Sequence, residues 1–543
     1  MNHDQWQTKE QLVKLLCSLV EIPSITGTSA EVSVAEKIVH ELHSLPYFQK
    51  QPEYLQLHPT GDGRKIVTAL VKKNDDTKKT IVLVSHFDVV DVQDYGIWKK
   101  NAFDPIELTR ILKEQQSNMP SDVQQDLAEG NWLFGRGTMD MKCGLTLHMS
   151  MVEQASRGVF DGNILLLAVC DEEVNSVGMR AAVPILLELA EKHSLIYKAC
   201  LNSEPMFTRY PGDENKYIYT GSIGKVLPGF LCYGKETHVG EPLSGLNANF
   251  MSSQITCEWE LNTEYCERVD EEVTPPPTNL IQKDLKEGYS VQIPHRAVTL
   301  YNLFLFEKSM DEVVGQLYQM AKKVARRIEE QYDQRAKRYS QLELSTPKTI
   351  HVNVFTVAEL LDYAQREYGK AEVEHIFTRI DTNRGDKDDR DLTIQFVDEL
   401  SILCKELAPM IVLFFAPPIY PAISSRNHPL IKKVTEEIMS YAWEQHQIRL
   451  KNQHYFGGIS DLSYAGLQQG ALSLQPLVTN MPLWEKGYSL PLKELEELNL
   501  PVLNLGPIGR DAHKWSERLD IEFAFEPLLE MLPVAIHKLL NEQ

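Results

Sequence analysis

What the sequence lacks sets the first limits on its function. No apolar run reaches the roughly 18 residues of a membrane-spanning helix, and the polar start at Met1–Trp6 shows no signal peptide. Positive charge is also scarce, because 55 Lys and Arg stand against 76 Asp and Glu, a formal net charge of −21. Nucleic acids and anionic membranes attract basic surfaces, so neither is expected as a partner.

Cysteine is sparse and scattered. The eight cysteines show no paired metal-binding spacing and several lie in apolar runs, so they are expected to be reduced core residues. At 543 residues, 43% of them hydrophobic, the chain is too long for one ordinary domain. The composition favours a cytoplasmic enzyme of two domains.

What the sequence does contain is a series of short apolar runs that end in metal-ligand residue types. Residues 81–85 predict a buried strand, followed by His86 and Asp88. Ligands bind at the carboxyl ends of strands in open α/β sheets, so His86 is well placed for a metal. Asp88 is spaced to accept the ring N–H that the metal leaves free. A simple strand-end hydrogen bond is the alternative.

Asp140 is a second candidate ligand, expected at the end of another strand, after two glycines and before an apolar, helix-like stretch. Gly135 and Gly137 permit backbone conformations closed to other residues, so the carboxylate can turn inward and bridge two cations. The alternative is an ordinary helix N-cap.

Three adjacent acids, Asp171, Glu172 and Glu173, follow the predicted strand 163–170. Like charges this close cannot all ionise freely without cations. Adjacent side chains diverge, so one glutamate would bind a metal while its neighbour reaches a metal-bound water. A solvated acidic turn that opens a helix is the alternative.

Two further candidates lie far apart in the chain. Glu204 follows the short predicted strand 199–203, and His513 follows the apolar run 501–505. Taken singly, each is more typical of a surface residue. The recurrence of the same pattern along the chain indicates one site, which only a folded sheet would assemble.

In order and chemistry these motifs resemble those of the di-zinc amidohydrolases and exopeptidases, the family of carboxypeptidase G2, aminoacylase and succinyl-diaminopimelate desuccinylase. The residues that carry the resemblance are His86-Phe87-Asp88, the segment 135–142, Asp171-Glu172-Glu173, Glu204-Pro205, the segment 512–517 and the opening 19–27. The resemblance implies an α/β fold with a mixed, mostly parallel sheet flanked by helices (zinc-exopeptidase type) and an inserted α+β lid or dimerisation domain. Within the family, the size resembles that of a bacterial arginine-utilisation protein.

The resemblance also implies two metal sites. One metal would be bound by Asp140, Glu173 and His513. The second would be bound by Asp140, His86 and Glu204, so that Asp140 bridges the two. Zinc is the expected metal at both sites, with cobalt or manganese as substitutes.

Catalytic groups follow from the same resemblance. Glu172 would be the general acid/base and Asp88 the partner of His86, and the peptide bond after Asp140 would be cis. His238 would reach the substrate carbonyl oxygen, which in this family often lies in a neighbouring subunit's site, and a homodimer is therefore expected. A solvated loop histidine is the alternative.

Substrate contacts are expected from Asn247 and from Gly457-Gly458. The glycine pair resembles a substrate loop whose backbone N–H groups would approach a carboxylate, although an ordinary Gly-Gly turn explains it equally. Many relatives bind the substrate carboxylate with an arginine of a lid strand. The corresponding stretch 298–304 has none, and Arg296 is out of register.

The candidate ligands lie before residue 205 and after residue 500, which predicts a catalytic domain split by an insertion. We expect catalytic parts at 1–220 and 410–543 and a lid domain at 221–409. Helical periodicity enlarges the lid from about residue 309 to 405. This excess is interpreted as a solvated helical face or, alternatively, as an interaction surface or lid extension.

The expected activity is hydrolysis of an amide bond in an N-acyl amino acid or short peptide by a water that two divalent metal ions activate. The resemblance places it in amino-acid catabolism, that of arginine in particular. A dipeptidase would differ only in substrate. The alternative from another class is a non-catalytic metal-binding or regulatory protein with the same fold.

Overall fold

The computed structural model describes residues 4–210, 212–343, 346 and 348–541. Its strands, in chain order, are β1 (Leu55–Pro59), β2 (Lys65–Val71), β3 (Lys79–His86), β4 (Trp132–Phe134), β5 (Asn163–Val169), β6 (Ile196–Asn202), β7 (Lys216–Tyr219), β8 (Gly221–Ser222), β9 (Gly224–Tyr233), β10 (Arg268–Val269), β11 (Glu272–Val273), β12 (Thr278–Asp284), β13 (Arg296–Leu305), β14 (Asn353–Thr356), β15 (Met410–Tyr420), β16 (Ile423–Ser424), β17 (Leu450–Gln453), β18 (Val502–Asn504), β19 (Gly509–Arg510) and β20 (Arg518–Asp520).

The helices, again in chain order, are α1 (Lys9–Val20), α2 (Ala30–His43), α3 (Pro46–Lys50), α4 (Pro105–Glu114), α5 (Ser121–Glu129), α6 (Lys142–Ser156), α7 (Val177–His193), α8 (Ala248–Trp259), α9 (Met310–Leu342), α10 (Val357–Tyr368), α11 (Lys370–Thr382), α12 (Asp389–Leu403), α13 (Pro429–His446), α14 (Gln475–Val478), α15 (Leu492–Leu498), α16 (Ile521–Phe525) and α17 (Pro527–Asn541). Among the residues described, no helix is long and apolar enough to cross a membrane. All eight cysteines are free thiols.

The chain divides into two compact units. The first comprises Met1–Ile223, Pro421–Gln468 and Pro491–Gln543, and the second comprises Gly224–Tyr420 and Gln469–Leu490. Both units are therefore built from segments that are distant in sequence.

These boundaries differ from the predicted insertion at 221–409. Strand β15 was expected in the catalytic domain but pairs with β9 and β14, so it lies in the second unit. The segment 469–490 joins it there, since Phe415 N donates to Asn480 O and Tyr488 Oη accepts the Ile419 N–H. The sequence does not show which distant segments pair through their backbones. The predicted boundary therefore left β15 and the segment 469–490 out of the second unit.

The first unit is built on an eight-stranded sheet in the order β1-β2-β5-β3-β6-β18-β7-β17. Strand β3 runs parallel to both neighbours, β5 and β6, and the β6–β18 and β7–β17 pairs are parallel too. The pairs β1–β2, β2–β5 and β7–β18 are antiparallel. Strands β3 and β5 are buried along almost their whole length, which explains their continuous apolar sequence. The fold is the predicted α/β type with a mixed sheet.

The second unit is built on a five-stranded sheet in the order β12-β13-β9-β15-β14. Successive strand residues point to opposite faces. On one face Phe230 and Tyr301 pack against Trp259 of α8. On the other face Leu231 and Leu300 belong to a buried cluster with residues of α10, α11 and α12. Helices therefore cover both faces, and the helical excess predicted from 309 to 405 supplies α9 to α12.

Candidate metal centre

Three of the predicted site segments meet at one edge of the first unit's sheet. His86 is the last residue of β3, while Glu172 and Glu173 follow β5 and Glu204 follows β6. Because β3 runs parallel to both β5 and β6, the carboxyl ends of these strands lie side by side.

Asp140 and His513 reach the same edge from loops, although both were expected at strand ends. Asp140 lies between β4 and α6, and His513 lies between β19 and β20. His513 has a φ of 63°, which belongs to turns rather than strands. Strand β20 pairs antiparallel with β4, so both loops leave the same small sheet. The peptide bond between Asp140 and Met141 is cis, as predicted.

Together these side chains form two groups of three metal donors. One group is His86, Asp140 and Glu204, the other is Asp140, Glu173 and His513, and in each group one donor atom per residue lies within 4.8 Å of the others. His86 Nε2 is 3.2 Å from Asp140 Oδ1, and His513 Nε2 is 3.3 Å from Asp140 Oδ2. Each oxygen of Asp140 therefore faces a different group, as a bridging ligand requires.

The donor set fits two divalent cations. Asp140 and Glu204 are buried, and among the described residues no hydrogen-bond donor reaches Glu204 Oε1. His86 Nε2 lies 3.5 Å from that oxygen. A buried carboxylate oxygen without a donor is costly unless a cation binds it. Imidazole mixed with carboxylate is a donor chemistry that suits zinc.

Electrostatics at the centre reflect its excess of acid. Burial raises the pKa of Glu173 and, well above its usual range, that of Glu204. Burial lowers the pKa of His513, but hydrogen bonds with Asp140 and Glu173 outweigh burial and raise it to about 11. The cluster therefore needs positive charge among its carboxylates, from protonated imidazoles or from metal ions.

Glu172 belongs to neither donor group, yet it lies close to His86 and to the acids Glu204 and Asp461. Its side chain is 7% exposed, and Glu172 Oε2 lies 4.0 Å from His86 Nε2. Burial raises its pKa well above the usual range, the charge of His86 opposes this, and the neighbouring acids Asp461 and Glu204 add to it. Such a carboxyl group holds a proton more readily than an exposed glutamate does.

Asp88 holds the site in a different way from the one expected. His86 Nδ1 lies 3.1 Å from the backbone oxygen of Asp88 but 3.6 Å from its carboxylate. The carboxylate instead accepts the backbone N–H groups of Glu172 and Glu173, at 3.0 and 3.3 Å, and the hydroxyl of Thr26. Asp88 therefore orients His86 through its main chain and the acidic turn through its side chain.

A buried ion network, which the sequence analysis missed, supports the same turn. Asp171 adopts a φ of 67°, and its Oδ1 lies 2.6 Å from Arg64 Nη1. The same guanidinium nitrogen lies 3.3 Å from Glu31 Oε2, while Glu31 Oε1 accepts the backbone N–H of Asp171. Burial and the charge of Asp88 raise the pKa of Glu31 while Arg64 lowers it, and the balance leaves it at about 7. Asp171 is therefore an anchor, and no local motif marks Arg64 or Glu31.

A second missed contact joins the two ligand loops. The buried carboxylate of Glu517 lies 2.5 Å from Arg136 Nη1 and accepts the backbone N–H of Gly137 at 2.7 Å. Gly137 precedes Asp140, and Glu517 follows His513 in the motif of the C-terminal segment. This ion pair connects the loop of Asp140 to that of His513.

The glycine-rich segment leads into another buried acid, Asp461. Burial raises the pKa of Asp461 to about 7, and its charge in turn raises the pKa of Glu172 and Glu204. Of the two glycines, Gly457 borders open space, whereas a Cβ at Gly458 would meet the rings of Phe456 and Phe207. Packing thus accounts for Gly458, and substrate binding by this pair stays a prediction.

His238 and Asn247 lie in the second unit, and their roles in the site stay predictions. His238 is exposed and its Nδ1 accepts the backbone N–H of Gly240 at 3.0 Å. Asn247 caps helix α8 by accepting the backbone N–H of Asn249, which gives it a structural role. Arg296, the out-of-register arginine, lies 2.5 Å from Asp398 of α12 and is neutralised within this unit.

Comparison with known proteins gives a family match and two relatives that align over nearly the whole chain. The family model "Peptidase family M20/M25/M40" matches residues 82–476. The chain is 50% identical to the "uncharacterized protein YqjN" of Bacillus subtilis (strain 168) over 99% of this chain and 98% of that one. It is 30% identical to protein RocB of the same organism over 96% and 93%.

Among solved structures, the fold is similar to that of the M20 family metallo-carboxypeptidase Sso-CP2 from Sulfolobus solfataricus. The TM-score is 0.54 at 12% identity, covering 97% of this chain and 99% of that chain. The family match and the fold agree with the resemblance drawn from the motifs. The chain belongs to peptidase family M20/M25/M40.

Proposed function

We propose that the chain is a metal-dependent amidohydrolase that hydrolyses an amide bond in an N-acyl amino acid or short peptide. The observation that carries this proposal is the pair of donor groups that share Asp140, with the buried carboxyl group of Glu172 beside them. Membership of a peptidase family supports hydrolysis of an amide.

The proposed chemistry divides between the metals and the chain. Two divalent cations, zinc in the first instance, would when bound make hydroxide available near neutral pH and polarise a carbonyl group. Glu172 would accept the proton of the attacking water and return it to the departing nitrogen. Asp88 holds the backbone of Glu172 in place for this.

The second unit has no arginine at the lid-strand position where many similar proteins bind a substrate carboxylate. The stretch 298–304 contains no arginine, and Arg296 is already paired with Asp398. We therefore expect a substrate carboxylate, if one is present, to be bound by backbone N–H groups or by another cation rather than by a lid-strand arginine. A role in amino-acid catabolism, that of arginine in particular, rests on the resemblance to arginine-utilisation proteins.

A homodimer and a cytoplasmic location belong to the same proposal. The dimer is motivated by His238, which in similar proteins reaches the site of a neighbouring subunit. Measurement of oligomeric state beside activity tests it, because a strictly monomeric protein with full activity would exclude delivery of His238 from a second copy.

The deciding experiment is hydrolysis by zinc-loaded protein of a panel of N-acyl amino acids and dipeptides that includes arginine and ornithine derivatives. Glu172→Gln is the test variant, and Glu153→Gln is the matched control, because Glu153 is also buried and accepts the backbone N–H groups of Gln5 and Trp6. We expect turnover by the parent and the control, and a loss of orders of magnitude in Glu172→Gln with zinc still bound.

Two other outcomes of this experiment would count against the proposal. Equal turnover by the parent and Glu172→Gln would exclude the proposed role of Glu172. No turnover across the panel, with two zinc ions bound, would favour the non-catalytic metal-binding protein.

A further inference from the structure

A buried histidine lies directly behind the metal ligands. The ring of His148, on α6, is fully buried, with Nδ1 2.7 Å from Ser85 Oγ and Nε2 2.9 Å from Ser203 Oγ. Ser203 Oγ also donates to the backbone oxygen of Leu505 at 2.9 Å. Since a hydroxyl has one proton, Ser203 accepts from His148 Nε2–H. Burial lowers the pKa of His148 to about 3, so the ring is neutral, Nδ1 accepts the hydroxyl proton of Ser85, and both ring nitrogens are hydrogen-bonded.

This bridge stands where the backbone pairing of two ligand-bearing strands stops. The last backbone pair between β3 and β6 joins Val84 to Asn202. The next residue in each segment is a serine, Ser85 on β3 and Ser203 just after the end of β6, and the residue after each serine is a candidate metal ligand. One rigid imidazole ring thus joins the two segments at the serines, between the last backbone pair of β3 and β6 and the candidate ligands His86 and Glu204.

We propose that His148 is a positioning residue that sets the spacing of His86 and Glu204, and with it the affinity of one metal position. This inference rests on the metal-dependent function proposed above. Each serine shares a peptide bond with its neighbouring ligand, so a shift of either serine moves a donor atom. Outer partners of this kind typically change metal affinity by about 10- to 100-fold when they are removed.

The test isolates that metal position. In a His513→Ala background the donor group of His86, Asp140 and Glu204 is the one left complete, so competition between the protein and a chelator for zinc reports its affinity. His148→Leu replaces the ring with an apolar side chain and removes both hydrogen bonds. It is expected to lower that affinity by about tenfold or more. In a His86→Ala background the same substitution is expected to leave zinc affinity unchanged.

Asn163→Leu is the matched control. Asn163 is fully buried at the opposite end of the same sheet, where it accepts the backbone N–H of Lys73 and donates to the backbone oxygen of Thr77. Its loss is expected to lower the melting temperature, as that of His148 does, without changing zinc affinity in the His513→Ala background.

A triple variant, Ser85→Ala with His148→Leu and Ser203→Ala, separates positioning from stability. It leaves neither hydroxyl unpaired, although the backbone oxygen of Leu505 loses the Ser203 donor, so stability is expected to recover in part, while zinc affinity stays low. Should His148→Leu fail to fold, His148→Asn, whose shorter amide reaches at most one serine, takes its place with an intermediate loss expected.

The proposal is overturned if His148→Leu binds zinc as tightly as its parent, if affinity falls equally in both backgrounds, or if affinity returns with stability in the triple variant. Zinc binding is measured without substrate. Absence of hydrolysis would therefore count against the proposed function and leave this result standing.

Discussion

Asp140 is the residue on which both donor groups depend, because its two oxygens face His86 and His513 at 3.2 and 3.3 Å. Single ligands such as His513 serve one group each. Substitutions at these two positions should therefore differ in how many metal ions they affect. A change at Asp140 removes a ligand of both groups, and a change at His513 removes a ligand of one.

The first prediction concerns zinc content. Asp140→Asn replaces one carboxylate oxygen by a hydrogen-bond donor and removes the charge, so we expect it to lose both zinc ions after dialysis, whereas His513→Ala retains one. Elemental analysis of the dialysed proteins, with the parent as control, measures this. Retention of two zinc ions by Asp140→Asn would contradict a bridging role.

The second prediction concerns pH and follows from the buried ring of His148. Burial lowers its pKa to about 3, so in the folded state it stays neutral, while in the unfolded state it binds a proton below about pH 6.5. Stability from this residue is therefore complete above that pH and is lost as pH falls, by about 2 kcal/mol at about pH 5.

The measurement compares the parent with His148→Leu by urea denaturation at about pH 7.5 and about pH 5. The difference between the two free energies of unfolding should shrink by about 2 kcal/mol at the lower pH, because the variant lacks the titrating ring. A difference that stays constant would mean that His148 is not held neutral.

At the scale of elements, the turn after β5 illustrates how the sheet edge is organised. The turn is held from one side by the carboxylate of Asp88 and from the other by Arg64, which pairs with Asp171 and Glu31. Both supports come from elements distant in sequence. The acidic turn is therefore held in place without the carboxylates of Glu172 and Glu173.

The third prediction tests that support. Arg64→Met leaves the buried carboxylates of Asp171 and Glu31 without their cation, and we expect a loss of about 3 kcal/mol in the free energy of unfolding, the scale of a broken buried ion pair. Arg110→Met is the control, because Arg110 forms exposed ion pairs on α4 and should cost under about 1 kcal/mol. Equal effects in urea denaturation would show that Arg64 is not a structural anchor.

At the scale of the whole molecule, the metal centre draws ligands from both ends of the chain. His86 and His513 belong to the first unit together, although the second unit is inserted between them in sequence. Binding of a cation to the native state stabilises that state by mass action. Metal binding and the stability of the first unit are therefore linked.

The fourth prediction follows from this link. Zinc at about a thousand times its dissociation constant should raise the stability of the apo-protein by about 4 kcal/mol, visible as a higher melting temperature that a chelator reverses. Glu172→Gln should keep this shift, since Glu172 is in neither donor group, whereas Asp140→Asn should lose it. A zinc shift in Asp140→Asn equal to that of the parent would contradict the proposed ligand set.

The sequence by itself determined the features that are local. The apolar run that ends at His86 and the acids after residue 170 predict buried strands with polar carboxyl ends, because strand burial is written into consecutive residues. The order of these motifs also identified the family and the α/β fold. The supports of the site were not predictable. Arg64 and His148 lie in no motif, and Glu517 lies in the motif 512–517, which does not show its pairing with Arg136.

Only the tertiary structure decided how distant groups face one another. It placed the carboxylate of Asp88 3.0 Å from the backbone nitrogen of Glu172 and 3.6 Å from the ring of His86, assigned β15 to the second unit, and placed the ring of His148 between two strands. The physical reason is that residue type and hydrophobic period depend on neighbours in sequence. Register, loop path and side-chain direction depend instead on contacts between residues that are far apart in the chain.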